Sequence, residues 1–283
     1  MIRPSIPSDE LGLKTLWQVA FGDPPEAIDK FFSALYQPGM AIVWEEEDRI
    51  SSAMYLLDAG LTPLPDCSML RTSYAYALGT LPADRGRGLG SAVTRAVIAR
   101  SVELGFDCNV ICPAEESLFP YYTRLGYNHV FPITEDKISR SESFKFVDTN
   151  KVMLTDFLTY LHLRPILSPN CATIYTADYL HYVEQVCTAS GGGLVQLEID
   201  GQTCIAAVDR AGDRLFVREF LPASHAESGM QMLLAHFDCQ SAILRTSANE
   251  GVNFFKQRPF VLVSYAGDQM LPSDTGYFPF VLD

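Results

Sequence analysis

The chain has 283 residues, of which 48 % are hydrophobic and 19 % are charged, and its formal net charge is −13. This length suits one large domain or two ordinary ones, and the acidic balance argues against nucleic acid as a partner, because phosphate backbones are bound by basic surfaces. No apolar stretch approaches the roughly 20 residues of a membrane span, so we expect no membrane partner, and the N-terminus lacks the apolar core of an export signal. The seven scattered cysteines are typical of reduced thiols and the five dispersed histidines indicate no metal site, so we predict a cytoplasmic protein without a bound metal.

The first half of the sequence alternates between helical and extended patterns. Apolar residues such as Leu13, Leu16 and Trp17 recur at helical spacing, and two apolar runs joined by a short acidic turn predict a hairpin. In chain order we predict helices over 8–20 and 25–36, strands over 40–46, 50–59 and 68–80, a helix over 89–104, a strand over 107–112 and a short helix over 118–124. Together these elements predict a mixed α/β unit.

A glycine-rich turn, residues 80–90, lies between a predicted strand and a predicted helix. Glycines let the backbone approach an anion, and the positive end of the helix dipole lies behind the N–H groups of the turn. Arg85 and Arg87 add positive charge at the same place. The turn therefore predicts a pyrophosphate site, and a glycine turn with no ligand is the plain alternative.

The spacing of the glycines excludes two nucleotide-binding motifs. A dinucleotide fingerprint needs a further glycine near Thr94 and an acidic residue about 20 residues further on, and a P-loop needs Gly-Lys-Ser or Gly-Lys-Thr. The sequence has neither. The pattern that remains, Arg85-x-x-Gly88-x-Gly90 after a strand, resembles the acetyl-CoA-binding signature of the GCN5-related N-acetyltransferases, the GNAT superfamily.

This resemblance implies where the cosubstrate acetyl-CoA would bind. In the superfamily, the strand before the glycine loop splays from its neighbour, and its exposed backbone groups pair with the pantetheine arm. The residues that the resemblance assigns to cofactor binding are Leu78, Gly79, Thr80, Pro82, Arg85, Gly86, Arg87, Gly88, Leu89, Gly90, Ser91 and Ala92.

A second motif, Tyr122-Thr123-Arg124-Leu125-Gly126-Tyr127, follows along the chain. It resembles the Tyr-x-x-x-Gly-Phe/Tyr element of the superfamily, which implies that Tyr122 is the general acid that protonates the leaving thiolate. Tyr121 is the adjacent competitor for this role. A packed helix aromatic is the plain alternative for Tyr122.

The second half repeats this order of elements with other residues. We predict a helix over 177–189 and strands over 193–199, 203–208 and 214–221. Residues 221–224 (Leu-Pro-Ala-Ser) echo 81–84 (Leu-Pro-Ala-Asp), and residues 254–260 echo 121–127. Glu227 stands where the first copy has Arg87, so the repeat has lost its anion site.

We therefore predict an α/β (α+β) fold with two tandem GNAT-like domains, each a mixed central sheet flanked by helices, in which the second copy is degenerate. The predicted parts are a catalytic domain over 1–140, a linker over 141–167 and a degenerate domain over 168–283. A chance resemblance between two α/β units is the alternative to duplication.

The tandem copies and the tyrosine motif resemble the enhanced-intracellular-survival (Eis-like) acetyltransferases, without their third, sterol-carrier-like domain. In those enzymes the terminal carboxylate acts as the base, which implies this role for Asp283, with an ordinary C-terminal strand as the alternative. Many GNAT members carry an acidic residue on the strand before the loop, where this chain has Tyr74. The run from Glu45 to Glu47 is typical of a solvated turn.

These motifs predict direct transfer of an acetyl group from acetyl-CoA to a primary amine of an unidentified small-molecule or peptide acceptor. The alternative is a non-catalytic acyl-CoA sensor or assembly module. Transfer of a longer acyl group and formation of a homo-oligomer both stay open. Aromatic residues on helices that cover the acceptor cleft in this fold would favour an acceptor with an apolar part or a cation, and they are Trp17, Phe21, Phe31, Phe32 and Tyr36.

Overall fold

The computed structural model describes residues 1–144, 150–248, 256–268, 270–271 and 275–282. The chain divides into two compact units. Unit 1 contains residues 1–130 and 261–270, and unit 2 contains residues 131–260 and 271–282.

The elements follow one another in the same order in the two halves of the chain up to the fifth strand of each half, after which the first half has a short helix and the described residues of the second half have no counterpart of it. The first half contains β1 (Ile2–Pro4), α1 (Glu10–Phe21), α2 (Pro25–Ala34), β2 (Ala41–Glu46), β3 (Arg49–Pro63), β4 (Met69–Thr80), α3 (Leu89–Glu103), β5 (Cys108–Ile111), α4 (Phe119–Thr123) and β6 (His129–Ser139). The second half contains β7 (Lys151–Thr155), α5 (Phe157–Leu167), α6 (Ala177–Ala189), β8 (Gly193–Ile199), β9 (Gln202–Ala211), β10 (Arg214–Leu221), α7 (Ala226–His236), β11 (Ser241–Ser247) and β12 (Lys256–Tyr265).

Local sequence explains where several helices begin, end and pack. Leu13, Leu16 and Trp17 lie on one face of α1 and are buried, as their spacing predicts. Gly22 ends α1 in the left-handed conformation, with φ +78°. Thr176 caps α6 by accepting a hydrogen bond from the Tyr179 N–H.

The two units have sheets of the same design. In unit 1 the strand order is β1-β2-β3-β4-β5-β12, and in unit 2 it is β7-β8-β9-β10-β11-β6. The pair β4–β5 is parallel, as is β10–β11, and the other neighbours in each order are antiparallel. The mixed α/β fold with helix-flanked sheets is therefore confirmed, and the shared strand order supports duplication.

The sixth strand of each sheet comes from the other half of the chain. Residues 261–265 of β12 belong to unit 1, where Leu262 pairs with Ile111 of β5. Residues 131–139 of β6 belong to unit 2, where Ser139 pairs with Ser241 of β11. Each unit therefore consists of two separate stretches of sequence.

The exchange of sixth strands, the segment 141–167 and the echo of the tyrosine motif differ from what the sequence predicts. The predicted linker, 141–167, carries β7 and α5, and both lie in unit 2. The predicted echo of the tyrosine motif does not repeat its structure: residues 121–123 are helical, whereas 256–260 lie in strand β12, and residues 254 and 255 lie outside the described part. Because strand pairing between distant segments determines these assignments, single-segment patterns miss them.

Each unit has its own apolar core. In unit 1, Val93 and Val97 of α3 pack with Leu56 of β3 and Tyr127. In unit 2, Met230 and Leu233 of α7 pack with residues of β8, β9, β10 and β11. Within the described ranges, no helix is long and apolar enough to cross a membrane.

Candidate active site

A sharp turn follows the end of β4 in unit 1. A 3-10 turn spans Pro82–Asp84, and α3 begins at Leu89 with Gly88 as its N-cap. Gly86 and Gly88 have φ values of +78° and +80°, which residues with a side chain rarely adopt. A Cβ built on either glycine would meet no heavy atom within 4 Å, so the space outside them is open. The first N–H groups of a helix lack partners within it, so this turn suits an anion.

Arg87 is held by two carboxylates rather than facing this opening with its charge unpaired. Its guanidinium donates to Asp84 Oδ1 at 2.7 Å and to Glu46 Oε1 at 2.8 Å. Asp84 is buried and also accepts from Arg49 at 2.9 Å. The hydrogen bonds from Arg87 and then from Trp44 lower the pKa of Glu46. Arg87 therefore ties the glycine turn to the β2–β3 hairpin.

Arg85 has different surroundings. Its side chain is exposed, and its Nε donates to the carbonyl of Thr80 at 3.2 Å. In the part of the chain that the structure describes, no carboxylate forms an ion pair with Arg85. Of the two arginines that the sequence assigned to the anion site, Arg85 is the one whose charge remains available.

β4 extends beyond the last residue of its parallel neighbour β5. The last pair between β4 and β5 is Ala75–Ile111, whereas β4 continues to Thr80. The register against β3 shifts within this stretch, and Ala77 has φ +51° there, so β4 carries a bulge that bends it. The GNAT resemblance predicts a splayed strand at this place, and we call residues 76–80, which have no partner on β5, the splayed end of β4.

The splayed end of β4 lies beside the first turn of α3. A Cβ built on Gly90 would lie 3.5 Å from Leu78 Cδ2 and 3.7 Å from Thr80 Oγ1. Gly79 contacts α1 instead, since its Cβ would lie 3.2 Å from the Cβ of Ala20. The structure thus brings Leu78, Thr80 and Gly90 together, and Gly79 can contribute only its backbone.

The sequence also assigns Leu89 and Ala92 of α3 to cofactor binding. Leu89 is buried, so its side chain packs into the core. The N–H of Ala92 donates to the carbonyl of Gly88 at 3.1 Å. Leu89 therefore anchors the start of the helix in the core, and the N–H of Ala92 belongs to the hydrogen bonds of the helix itself.

The two tyrosines of α4 differ in their surroundings. Tyr122 is 7 % exposed and packs in the unit 1 core, with its ring 6.1 Å from that of Tyr127. Burial is the main cause that raises the pKa of Tyr122 above its ordinary value. Tyr121 is half-buried, and its hydroxyl accepts a hydrogen bond from Ser91 Oγ at 3.1 Å. Tyr122 therefore keeps its proton at neutral pH, and Tyr121 links α4 to α3.

Comparisons with known proteins agree with this geometry. Residues 1–130 match the family described as "Acetyltransferase (GNAT) domain". Residues 1–130 are a GNAT acetyltransferase domain. This domain is of the acyltransferase class of enzymes, and its residues form the first stretch of unit 1.

Solved structures share the fold over both units of this chain. A probable N-acyltransferase from Enterococcus faecalis V583 has a TM-score of 0.71 at 13 % identity, with 94 % of this chain and 72 % of that chain covered. A GCN5-related N-acetyltransferase from Anabaena variabilis has a TM-score of 0.70 at 11 % identity, with 93 % and 72 % covered. Eis1 from Mycobacterium abscessus has a TM-score of 0.66 at 11 % identity, with 94 % and 73 % covered. No curated protein matches the sequence.

An aromatic cluster occupies the position in the GNAT domain where many members have an acid. Tyr74 is buried on β4, and its ring lies 5.6 Å from that of Tyr76. Tyr76 in turn lies 5.6 Å from Trp17 of α1 and 5.5 Å from Phe31 of α2. Trp17 and Phe31 are both buried, so they form the packed part of this cluster.

The acidic residues considered as bases from the sequence have other partners or lie outside the described part. Glu45 accepts from Arg3 Nε at 2.8 Å, and Glu46 is paired with Arg87. Asp283 lies outside the described residues. The tail before it, residues 277–282, is buried in unit 2.

Unit 2 lacks the glycine turn at the corresponding place. There α7 begins directly after the 3-10 turn Ala223–His225, and the exposed Glu227 lies in its first turn. β10 continues past Val217, its last residue that pairs with β11. The tail lies against this end, since Arg218 Nη1 donates to the carbonyl of Val281 at 2.6 Å. Protein atoms thus cover the strand end that corresponds to the splayed end of β4.

Sequence reasoning missed the residues that support the loop. The spacing of three residues between Asp84 and Arg87 suggests an ion pair. The sequence pattern around Glu46, in contrast, predicts a solvated turn and gives no sign of its ion pair with Arg87. The hydrogen bond from Ser91 to Tyr121 joins α3 to α4, and no local sequence pattern indicates it. Both features depend on tertiary contacts between segments that lie far apart in sequence.

Proposed function

We propose that the GNAT domain transfers an acetyl group from acetyl-CoA directly to a primary amine of a small-molecule or peptide acceptor. The observation that carries this proposal is the glycine turn between β4 and α3, which lies next to the end of β4 that extends beyond β5. This arrangement offers an anion site and exposed strand backbone side by side.

The residues at this place fit the donor. The N–H groups of residues 86–91, together with Arg85, would bind the pyrophosphate. The backbone of residues 78–80 would pair with the amides of the pantetheine arm, as an added strand does. Pro82 fixes the direction of the chain between these two parts. Arg87 acts in this scheme by holding the turn through Asp84 and Glu46.

The reaction needs a proton donor at the sulfur. The amine nitrogen forms a bond to the acetyl carbon, the carbon–sulfur bond breaks, and the thiolate takes up a proton. Tyr122 is proposed as the acid that supplies it, because burial keeps its phenol protonated and the motif places it on α4. The attacking amine must lose a proton, for which a chain of water molecules is one proposed route and the Asp283 carboxylate that the Eis-like resemblance implies is the other.

Unit 2 is proposed to be a non-catalytic partner within the same chain. Its corresponding helix begins with Glu227 near its N-terminus, which disfavours a second anion there. We propose that the tail, whose Val281 carbonyl accepts a hydrogen bond from Arg218 of β10, takes the place where a pantetheine arm would otherwise pair with that strand. We therefore expect one donor molecule to bind per chain.

The test measures thiol release from acetyl-CoA with a panel of amines, and CoA binding by calorimetry. The wild-type chain should bind CoA and release thiol with at least one amine. Gly88→Glu should abolish binding, because it strains the backbone at φ +80° and adds a negative charge to the anion site. Undiminished binding by this variant would refute the anion site. Tight binding without turnover on any amine, over a range of pH, would instead support the acyl-CoA sensor.

A further inference from the structure

Tyr121 lies where three parts of the GNAT domain converge. Its hydroxyl is 3.1 Å from Ser91 Oγ and 3.4 Å from the position of a Cβ built on Gly90. Leu78 and Thr80 of the splayed strand lie 3.5 and 3.7 Å from the same Cβ position. The phenol oxygen therefore lies against the first turn of α3, on the side of Gly90 that also faces the end of β4.

The direction of the hydrogen bond determines what this phenol can offer. Ser91 donates its proton to Tyr121, so the phenol acts as acceptor in that bond and its own single proton remains to be donated elsewhere. A phenylalanine would fill the same volume, so the hydroxyl is not explained by packing. The hydroxyl thus adds a donor at the place where the glycine turn meets the strand.

We propose that Tyr121 is a donor-binding residue, which gives its phenolic proton to an oxygen of the phosphopantetheine arm while Ser91 holds the phenol in place. This inference rests on the proposed function. It assigns the two adjacent tyrosines separate roles, with Tyr121 acting in binding and Tyr122 in proton transfer. The acceptor oxygen belongs either to the phosphate or to an amide carbonyl of the arm.

The test compares CoA affinity by calorimetry in the full chain. Tyr121→Phe should weaken CoA binding about tenfold, the range of one hydrogen bond to a charged group, with kcat at saturating donor unchanged. Ser91→Ala should weaken binding less, and it should have no further effect in the Tyr121→Phe background, because the two hydroxyls act as one unit. Tyr265→Phe is the matched control, since that tyrosine pairs with Cys108 at the far end of β5 and should bind CoA as the wild type does.

Two smaller probes identify the acceptor oxygen. If the loss caused by Tyr121→Phe appears with 4′-phosphopantetheine and vanishes with pantetheine, the phosphate accepts the proton. If it persists with pantetheine, an amide carbonyl accepts it.

Other outcomes overturn the inference. Unchanged CoA affinity in Tyr121→Phe would show that the hydroxyl is not a binding group. A fall in kcat with unchanged affinity would make Tyr121 the acid instead. If the wild-type chain bound no CoA at all, the proposed function itself would fail, whereas a failure confined to Tyr121→Phe would leave it standing.

Discussion

Arg87 and Asp84 form an ion pair of 2.7 Å in which the carboxylate is the buried partner, with 7 % of its side chain exposed. A buried carboxylate is costly without partners, and Asp84 has two, Arg87 and Arg49. Arg87 is therefore needed by the loop before any ligand arrives. Arg85, two residues earlier, forms no ion pair with a carboxylate among the described residues. The two arginines of the motif are therefore not equivalent.

This difference predicts that two matched substitutions affect different properties, namely CoA affinity for Arg85 and stability for Arg87. Arg85→Gln should weaken CoA binding about tenfold, since it removes a charge-assisted contact, and should leave the thermal midpoint unchanged. Arg87→Gln should lower the thermal midpoint, because it removes one of the two partners of the buried Asp84 carboxylate, and should weaken CoA binding less than Arg85→Gln does. Calorimetry and thermal denaturation measure the two effects. Equal losses of affinity with unchanged stability in both variants would contradict the assignment.

Removal of the Tyr122 hydroxyl should affect chemistry and not donor binding. Tyr122→Phe keeps the ring in the core and removes the proton donor, so we expect kcat to fall by about 100-fold or more, within the range for general acid catalysis. The KM for acetyl-CoA should change little. Steady-state kinetics measures both, with Tyr127→Phe as a second buried tyrosine for comparison. An unchanged kcat would remove Tyr122 as the acid.

The pH dependence should follow the amine and not the tyrosine. Burial raises the pKa of Tyr122 above its ordinary value near 10, so the protonated, donating form persists over the whole range below that value. A lysine-like amine has a pKa of about 10.4 and is mostly charged at pH 7. The kcat/KM for such an amine should therefore rise by up to about tenfold per pH unit between roughly pH 7 and 9. A rate profile that falls within this interval would show that a different group is the acid.

The exchange of strands between the two halves predicts that a fragment of residues 1–140 does not fold alone. Unit 1 needs residues 261–265 as its sixth strand beside β5. Without them the edge of β5 is left unpaired, and the buried side chains of Leu262 and Val263 are missing from the sheet. We expect no cooperative thermal transition for the fragment by circular dichroism. Adding a synthetic peptide of residues 256–268 should restore part of the transition. Cooperative unfolding of the fragment alone would contradict this.

Much of unit 1 was predictable because its signals are local. The helical spacing of Leu13, Leu16 and Trp17 and the glycines after Thr80 determine elements within a few residues of themselves. The tyrosine motif likewise identified α4, although it could not say which tyrosine contacts α3. The second half was harder. Residues 254–260 looked like the tyrosine motif, and 256–260 form a strand because pairing with a distant partner outweighs local preference.

The sequence by itself determined the mixed α/β class, the glycine turn between strand and helix, and the family of residues 1–130, since each depends on neighbours along the chain. Only the tertiary structure decided which half supplies each sixth strand, that Arg87 is held by Asp84 and Glu46, and that Tyr121 meets Ser91. The physical reason is the same in each case. Backbone hydrogen bonds between strands, and side-chain contacts such as Arg87–Glu46 and Ser91–Tyr121, join segments far apart in sequence, and their partners are fixed by the packing of the whole unit.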